Sequence, residues 1–289
     1  MQELAQYIAS GVVIGSIYGL IGVGFSTVYN VTGIVNFAQG DFASLGALGT
    51  IGLIAVGLPL SFALPIAVLA IGLLGVLIEW VAIRPAGDEV IRGIIITIGI
   101  GVAMEGTAVL IWGTDAQPLR AFSGEAPVNM GGVTVPPQAF WVVGTAVALM
   151  SLLWLFFTRT YLGKAFRACS INAFAASLVG IPTRAMRSLS FLISGLTGAI
   201  AGVIVAPIAL MQYDTGLFLG LKGFVACIVG GFGNPVGAAL GGLLLGIIEA
   251  LAAGYLSSEY KNGIAFVVLL AFLFMKPGGV LGEFGEVKR

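Results

Sequence analysis

The chain contains no histidine among its 289 residues, and only 9% of them are charged. Without histidine there is no Ser-His-Asp triad, no HExxH zinc site and no serine-histidine dyad of the rhomboid kind, which removes most hydrolase chemistry. Cysteine is scarce as well: Cys169 and Cys227 stand far apart with no CxxC spacing. That argues against a disulfide framework and a Cys-rich metal site, and both read as small packing residues. Neither sign of charge dominates, with 13 basic residues against 13 acidic ones, which argues against a nucleic-acid partner. The pattern GxxxxGK[ST] is missing too, since the only Gly-Lys step, Gly163-Lys164, is followed by Ala165. The chain therefore carries no P-loop, no ATP and no metal of its own, and energy for active transport must come from elsewhere.

What is present is apolar: 58% hydrophobic residues, 44 glycines and a mean hydropathy of +1.08. Soluble domains carry roughly a quarter charged residues, so this composition belongs in a bilayer. Apolar runs near 8–29, 34–56, 62–83, 93–112, 139–157, 188–210, 216–232, 236–255 and 262–278 predict an all-α integral membrane protein with nine spans. The seventh run and the ninth fall short of the ~20 residues a span needs, so eight spans plus a re-entrant segment is the alternative. The first run lacks a basic n-region and reads as a span, not a signal peptide.

Basic residues set the orientation, because cytoplasmic loops retain Lys and Arg. With the 158–187 loop inside, Arg84, Arg92, Arg159, Lys164, Arg167, Arg184, Arg187, Lys276, Lys288 and Arg289 are inside, against Arg120 and Lys261 outside. The N-terminus then lies outside and the C-terminus in the cytoplasm. The outer loop 113–138, with Pro118, Pro127, Pro136 and Pro137, is too short for a folded domain and reads as a lid or docking surface. The middle of the inner loop suits a helix that Gly180 can cap and Pro182 stops. Spans before and after the fifth run in opposite senses, the arrangement of inverted repeats in transporters. This divides a single permease domain, 1–289, into repeat one at about 8–112, a linking span at 139–157, an inner loop at 158–187 and repeat two at about 188–278. Small residues four apart (Gly11, Gly15 and Gly19; Gly198 and Gly202; Gly237 and Gly241; Gly242 and Gly246) predict close helix packing, within the chain or, as the alternative, at a seam between protomers.

Polar groups inside a span are costly and mark candidate function. These are Asn36, Gln39, Asp41, Glu105, Lys222 and Glu249, read as polar lining of a translocation path or as helix-positioning groups. Glu79 lies near the inner boundary, where Arg84 can pair with it. Asp41 and Lys222 sit at depths reached from opposite faces, so direct pairing between them is not expected. Gly233, Asn234, Pro235 and Gly237 mark a helix break. Asn234-Pro235-Val236 resembles the Asn-Pro-Ala box of water channels, but those boxes come in pairs and this one is single.

Five stretches carry a wider resemblance: Tyr29–Gly46 (YNVTGIVNFAQGDFASLG), Glu79–Pro85 (EWVAIRP), Arg167–Ile181 (RACSINAFAASLVGI), Leu221–Gly242 (LKGFVACIVGGFGNPVGAALGG) and Glu249–Tyr260 (EALAAGYLSSEY). In this order, over nearly the whole chain, they resemble the permease of the bacterial branched-chain amino acid ABC transporter family. The resemblance implies an importer of the vitamin-B12-transporter (type II) architecture in the inner membrane. Its partners would be a second homologous permease, two cytoplasmic ATPases that bind ATP and Mg, a periplasmic substrate-binding protein, and membrane lipid. It further implies that Arg167–Ile181 is the coupling helix docking on an ATPase, with Arg167, Asn172, Ala175, Ala176, Leu178, Gly180 and Ile181 at the contact. Related permeases carry urea, short amides or aromatic acids. The lack of a large domain before the first span favours amino acids. The competing class is an ion-coupled carrier using Asp41, Glu105 and Glu249.

Overall fold

A computed structural model describes residues 2–87, 89–124, 126–257, 261–276 and 278–281. Lys288, Arg289 and the end of the 249–260 motif lie outside the described residues. The fold is a bundle of helices: α1 (Gln2–Thr32), α2 (Gln39–Ala55), α3 (Leu60–Ile78), α4 (Arg84–Ala86), α5 (Val90–Trp112), α6 (Pro137–Arg159), α7 (Tyr161–Ile171), α8 (Ala173–Leu178), α9 (Thr183–Val205), α10 (Thr215–Gly230), α11 (Pro235–Tyr255) and α12 (Lys261–Met275). A π-helical turn, Glu79–Ile83, joins α3 to α4 into one 27-residue rod. Pro85 has no N–H to donate and would crowd the carbonyl four residues back, and the wider turn relieves that.

Every expected apolar run forms a helix, and among the described residues six helices are long and apolar enough to cross a membrane. The described parts of α2, α10 and α12 are shorter than the full spans expected of those runs, at 17, 16 and 15 residues. At 1.5 Å per residue these reach about 22–26 Å, short of a ~30 Å hydrocarbon core. The second run fails to be helical throughout because Gly33, at φ +69°, turns the chain and residues 34–38 follow without helix. Asp41 is therefore in the first helical turn of α2, not seven residues inside a span as the run predicts.

The core centres on α1, buried almost continuously from Gly15 to Val28, with α2, α9, α10 and α11 packed around it. Glycine makes this possible. A Cβ on Gly15 would lie 2.7 Å from the Gly242 carbonyl oxygen, one on Gly11 would lie 2.6 Å from Ile247 Cα, and Gly242 and Gly246 abut Gly19 and Gly15 in turn. The stripes foreseen on α1 and α11 thus face each other in one seam. Helices α5 and α6 form the outer layer and expose large apolar side chains such as Leu110, Ile111 and Leu152, as a lipid-facing surface does.

The 113–138 loop contains structure that its composition does not announce. Val128–Met130 (β1) and Val133–Val135 (β2) form a hairpin around Gly131 and Gly132, both at positive φ as a two-residue hairpin turn requires. The Gln6 side chain accepts from Thr134 N at 2.9 Å and donates to Thr134 O at 2.8 Å, fastening the hairpin to α1.

Candidate functional site

Two short helices meet by their N-terminal ends inside the bundle. A Cβ on Gly216 at the start of α10 would lie 2.7 Å from Gly40 O and 2.9 Å from Asp41 Cα, and one on Gly40 would lie 2.7 Å from Gly220 Cα. Any side chain at these glycines would drive α2 and α10 apart. The non-helical 34–38 segment leads into this crossing and is held by α5: Phe37 N donates to Thr97 Oγ1 at 3.2 Å, and Thr97 Oγ1 donates to Ile94 O at 2.8 Å.

The polar residues of the segment divide into two kinds. Gln39 is fully buried and satisfied, its amide donating to Ser194 O at 3.1 Å and accepting from Ser194 Oγ on α9. It positions α2. Asn36 is also fully buried, yet neither its Nδ2 nor its Oδ1 has a hydrogen-bond partner, and Oδ1 of the 5% exposed Asp41 likewise has none. A buried polar atom left unpaired costs about 1–3 kcal/mol, so two such groups on one short segment call for a role other than stability. The other carboxyl oxygen of Asp41 rests against Gly101 of α5, 2.7 Å from where a Cβ would be. One turn further on α5 is Glu105, and Asp214 directly precedes α10 without a side-chain capping bond. Glu105 is four residues beyond Gly101, and Asp214 is two residues before Gly216, where a Cβ would lie 2.9 Å from Asp41 Cα, so Asp41, Glu105 and Asp214 flank one crossing. Among the described residues no salt bridge reaches any of the three. The crossing is thus a partly enclosed, electronegative spot with an unpaired amide beside it, suited to a cationic or hydrogen-bonding group.

Lys222 and Glu249 are elsewhere, paired with each other. Lys222 Nζ on α10 donates to Glu249 Oε1 on α11 at 2.7 Å and to Tyr18 OH on α1 at 3.0 Å, and Tyr18 OH donates to Glu249 Oε1 at 3.2 Å. The ammonium also sits 5.3 Å over the Tyr18 ring. This triad ties the three central helices together at one level. At the π-helical turn, Arg84 Nη2 reaches Glu79 Oε2 at 2.8 Å, and Ser188 Oγ donates to the same oxygen at 2.7 Å.

The helix break is a cap. Gly231 and Gly233 have φ of +112° and +89°, Asn234 Oδ1 accepts from Val236 N at 3.0 Å and Gly237 N at 3.1 Å, and Pro235 begins α11. These are the positions where an Asn cap and an N1 proline are favourable. Val280 N and Leu281 N donate to the carbonyls of Val229 and Gly230, so this segment docks on the break.

The Arg167–Ile181 stretch is two helices, not the single helix its composition suggests. Asn172 leaves helical geometry at φ −156° and caps α8 through Ala175 N at 2.9 Å. Gly180, at φ +85°, ends α8. Ala176 packs inward with Phe166, Cys169 and Met186, and Ile181 lies against that cluster. Arg167 and Ala175 are exposed, and Phe174, Leu178 and Val179 are each more than 70% exposed, an apolar patch beside a basic one.

Tyr18, Thr97, Ser194, Ser188 and Asp214 escape the sequence reading. Hydroxyl groups are tolerated in spans by bonding their own helix, so nothing in the sequence distinguishes those that bridge helices. Asp214 precedes a glycine-rich run and reads as loop.

Over residues 7–273 the chain matches the family described as "Branched-chain amino acid transport system / permease component". The high-affinity branched-chain amino acid transport system permease protein LivH of Salmonella typhimurium is 32% identical over 295 residues, covering 96% of this chain and 95% of the relative. BraD of Pseudomonas aeruginosa, of the same description, is 31% identical over 299 residues, with 96% and 95% covered. LsrC of Escherichia coli, an autoinducer 2 import system permease protein, is 30% identical over 231 residues, covering 73% of this chain and 63% of LsrC. Among solved structures, PsaBC from Streptococcus pneumoniae in complex with Fab superposes with a TM-score of 0.54 at 14% identity, covering 96% of this chain and 93% of that one, a likeness of fold. The chain is a multi-pass, mostly helical membrane protein and belongs to the branched-chain amino acid transport system permease family.

Proposed function

We propose that this chain is the permease subunit of an ATP-driven importer of type II architecture, translocating branched-chain or related amino acids handed over by a periplasmic binding protein. In this reading it lies in the bacterial inner membrane beside a second homologous permease and two cytoplasmic ATPases that hold ATP and Mg, with its N-terminus outside. The relatives' names support the cargo, and the ten-to-two distribution of basic residues supports the orientation. The α2–α10 crossing supports an inverted repeat, since broken helices meeting near the midplane are how such repeats build a substrate path.

The observation that carries the reading is the buried, unpartnered pair Asn36 and Asp41 at that crossing. A zwitterion with an aliphatic side chain needs a mostly apolar path with a few polar contacts, and an ammonium group suits the carboxylates of Asp41, Glu105 and Asp214. Asp41→Ala in the assembled transporter is expected to lower amino acid uptake about tenfold, the loss of one charge-assisted contact, while binding-protein docking and ATPase activity persist. Uptake equal to wild type removes Asp41 from the path. The second reading, an ion-coupled carrier, draws on the same carboxylates. It predicts that uptake collapses when an uncoupler is added at constant ATP.

The exposed face of α8 is where an ATPase would dock, moved as a lever when the ATPase pair closes. Ala175 tests this more cleanly than Ala176, which is buried, or Gly180, whose positive φ resists any side chain. Ala175→Arg should leave the chain folded and suppress transport-linked ATP hydrolysis at least about tenfold by placing a charge in a desolvated contact. Unimpaired uptake and ATPase stimulation would reject α8 as the coupling element.

A further inference from the structure

At the end of the bundle that carries the basic loop, α1, α6, α7 and α11 leave a lateral crevice of about 420 Å³, in the size range of ligand sites. Leu153, Phe157, Ala239 and Leu243 make its walls apolar, while Arg167 and Ser170 stand at one end. Trp154, on the rim and 54% exposed, occupies the place where tryptophans sit at a headgroup layer. Arg167 is the one charged residue in the lining, and residues 126–213, which carry it, contain no Asp or Glu but include Arg159, Lys164, Arg184 and Arg187 as well. Arg167 is exposed, and among the described residues no ion pair reaches it. The apolar docking patch of α8 (Phe174, Leu178, Val179) is separate from the crevice lining.

We propose that this crevice binds one anionic phospholipid, an acyl chain lying along the α6–α11 walls and its phosphate held by Arg167. A recess between four helices at membrane depth is filled by a lipid chain in preference to water, because apolar walls offer water no partners. The guanidinium selects an anionic headgroup over a zwitterionic one, since its fork of donors matches phosphate oxygens and the surrounding cations add a net attraction. A lipid there would bridge α7 to α1 and α11, joining the inner loop to the central seam.

The test is native mass spectrometry of the full-length chain, stripped of lipid in detergent and titrated with dioleoyl-phosphatidylglycerol or dioleoyl-phosphatidylcholine. Wild type should retain one phosphatidylglycerol about fivefold more tightly than phosphatidylcholine, the contribution of about one interfacial arginine. Arg167→Gln should abolish that preference. Val236→Trp, at a half-exposed lining position where the ring fills the crevice without entering the core, should weaken both lipids. Equal retention of the two lipids by wild type, or a preference unchanged in Arg167→Gln, would overturn the proposal. So would photocrosslinking from position 236, in native membranes, to a protein chain instead of a lipid. Because no transport is measured, these outcomes are independent of the importer reading.

Discussion

Lys222→Ala should destabilise the protein by about 3–5 kcal/mol, the usual consequence of removing one partner from a buried ion pair. Glu249 has no exposed surface and Lys222 is 12% exposed in its side chain, so little solvent is available to screen the carboxylate once the ammonium is gone. Tyr18 would still donate to Glu249, but a phenol does not neutralise it. The informative partner is the triple variant Tyr18→Phe, Lys222→Met, Glu249→Met, which replaces the network with apolar groups of similar bulk. Such replacements are often neutral, so the triple variant should recover to within about 1–2 kcal/mol of wild type. Both are read from thermal denaturation of purified protein in detergent. A single variant as stable as wild type, or a triple variant as unstable as the single, would show that the triad does not join α1, α10 and α11 as its geometry implies. If the triple variant folds and still imports cargo, the triad is structural; if it folds and does not, Lys222 or Glu249 belongs to the path.

The larger loss is expected from Gly246→Leu. A Cβ at Gly246 would lie within contact of the Gly15 backbone, with Gly11 O at 2.5 Å, so α1 and α11 would have to separate along their whole seam. Overpacking typically costs 1–3 kcal/mol where side chains can yield, and roughly more than that where the obstacle is backbone. Gly246→Leu should therefore fail to accumulate as folded protein. Gly99→Leu supplies the contrast: nothing lies within 4 Å of a Cβ there, and the residue is on the exposed face of α5. That change should be neutral or gain up to about 1 kcal/mol from helix propensity. Fluorescence-detected size exclusion of the two variants decides the matter; equal profiles would mean the α1–α11 seam tolerates expansion.

Much of the fold was legible because lipid imposes a simple rule, that a spanning backbone must satisfy itself as helix. Nine apolar runs became nine helices, and the glycine stripes of α1 and α11 proved to be opposite sides of one contact. The pairing of Glu79 with Arg84 followed from their spacing of five residues. Hydropathy does not record where a helix starts within an apolar run, and so it missed the turn at Gly33 that places Asn36 and Asp41 at a helix entrance.

The sequence by itself determined which segments are apolar and which few polar groups fall within them, because both depend on composition and local order, while the family followed from the resemblance of five ordered motifs. Only the tertiary structure decided that Lys222 answers Glu249 and Tyr18, that Gln39 is clamped by Ser194 while Asn36 and Asp41 are left unpartnered, and that Ala176 turns inward while Ala175 does not. These are long-range pairings, up to 231 residues apart along the chain. They arise from glycine-set helix spacing, and no local pattern encodes which buried polar group meets which.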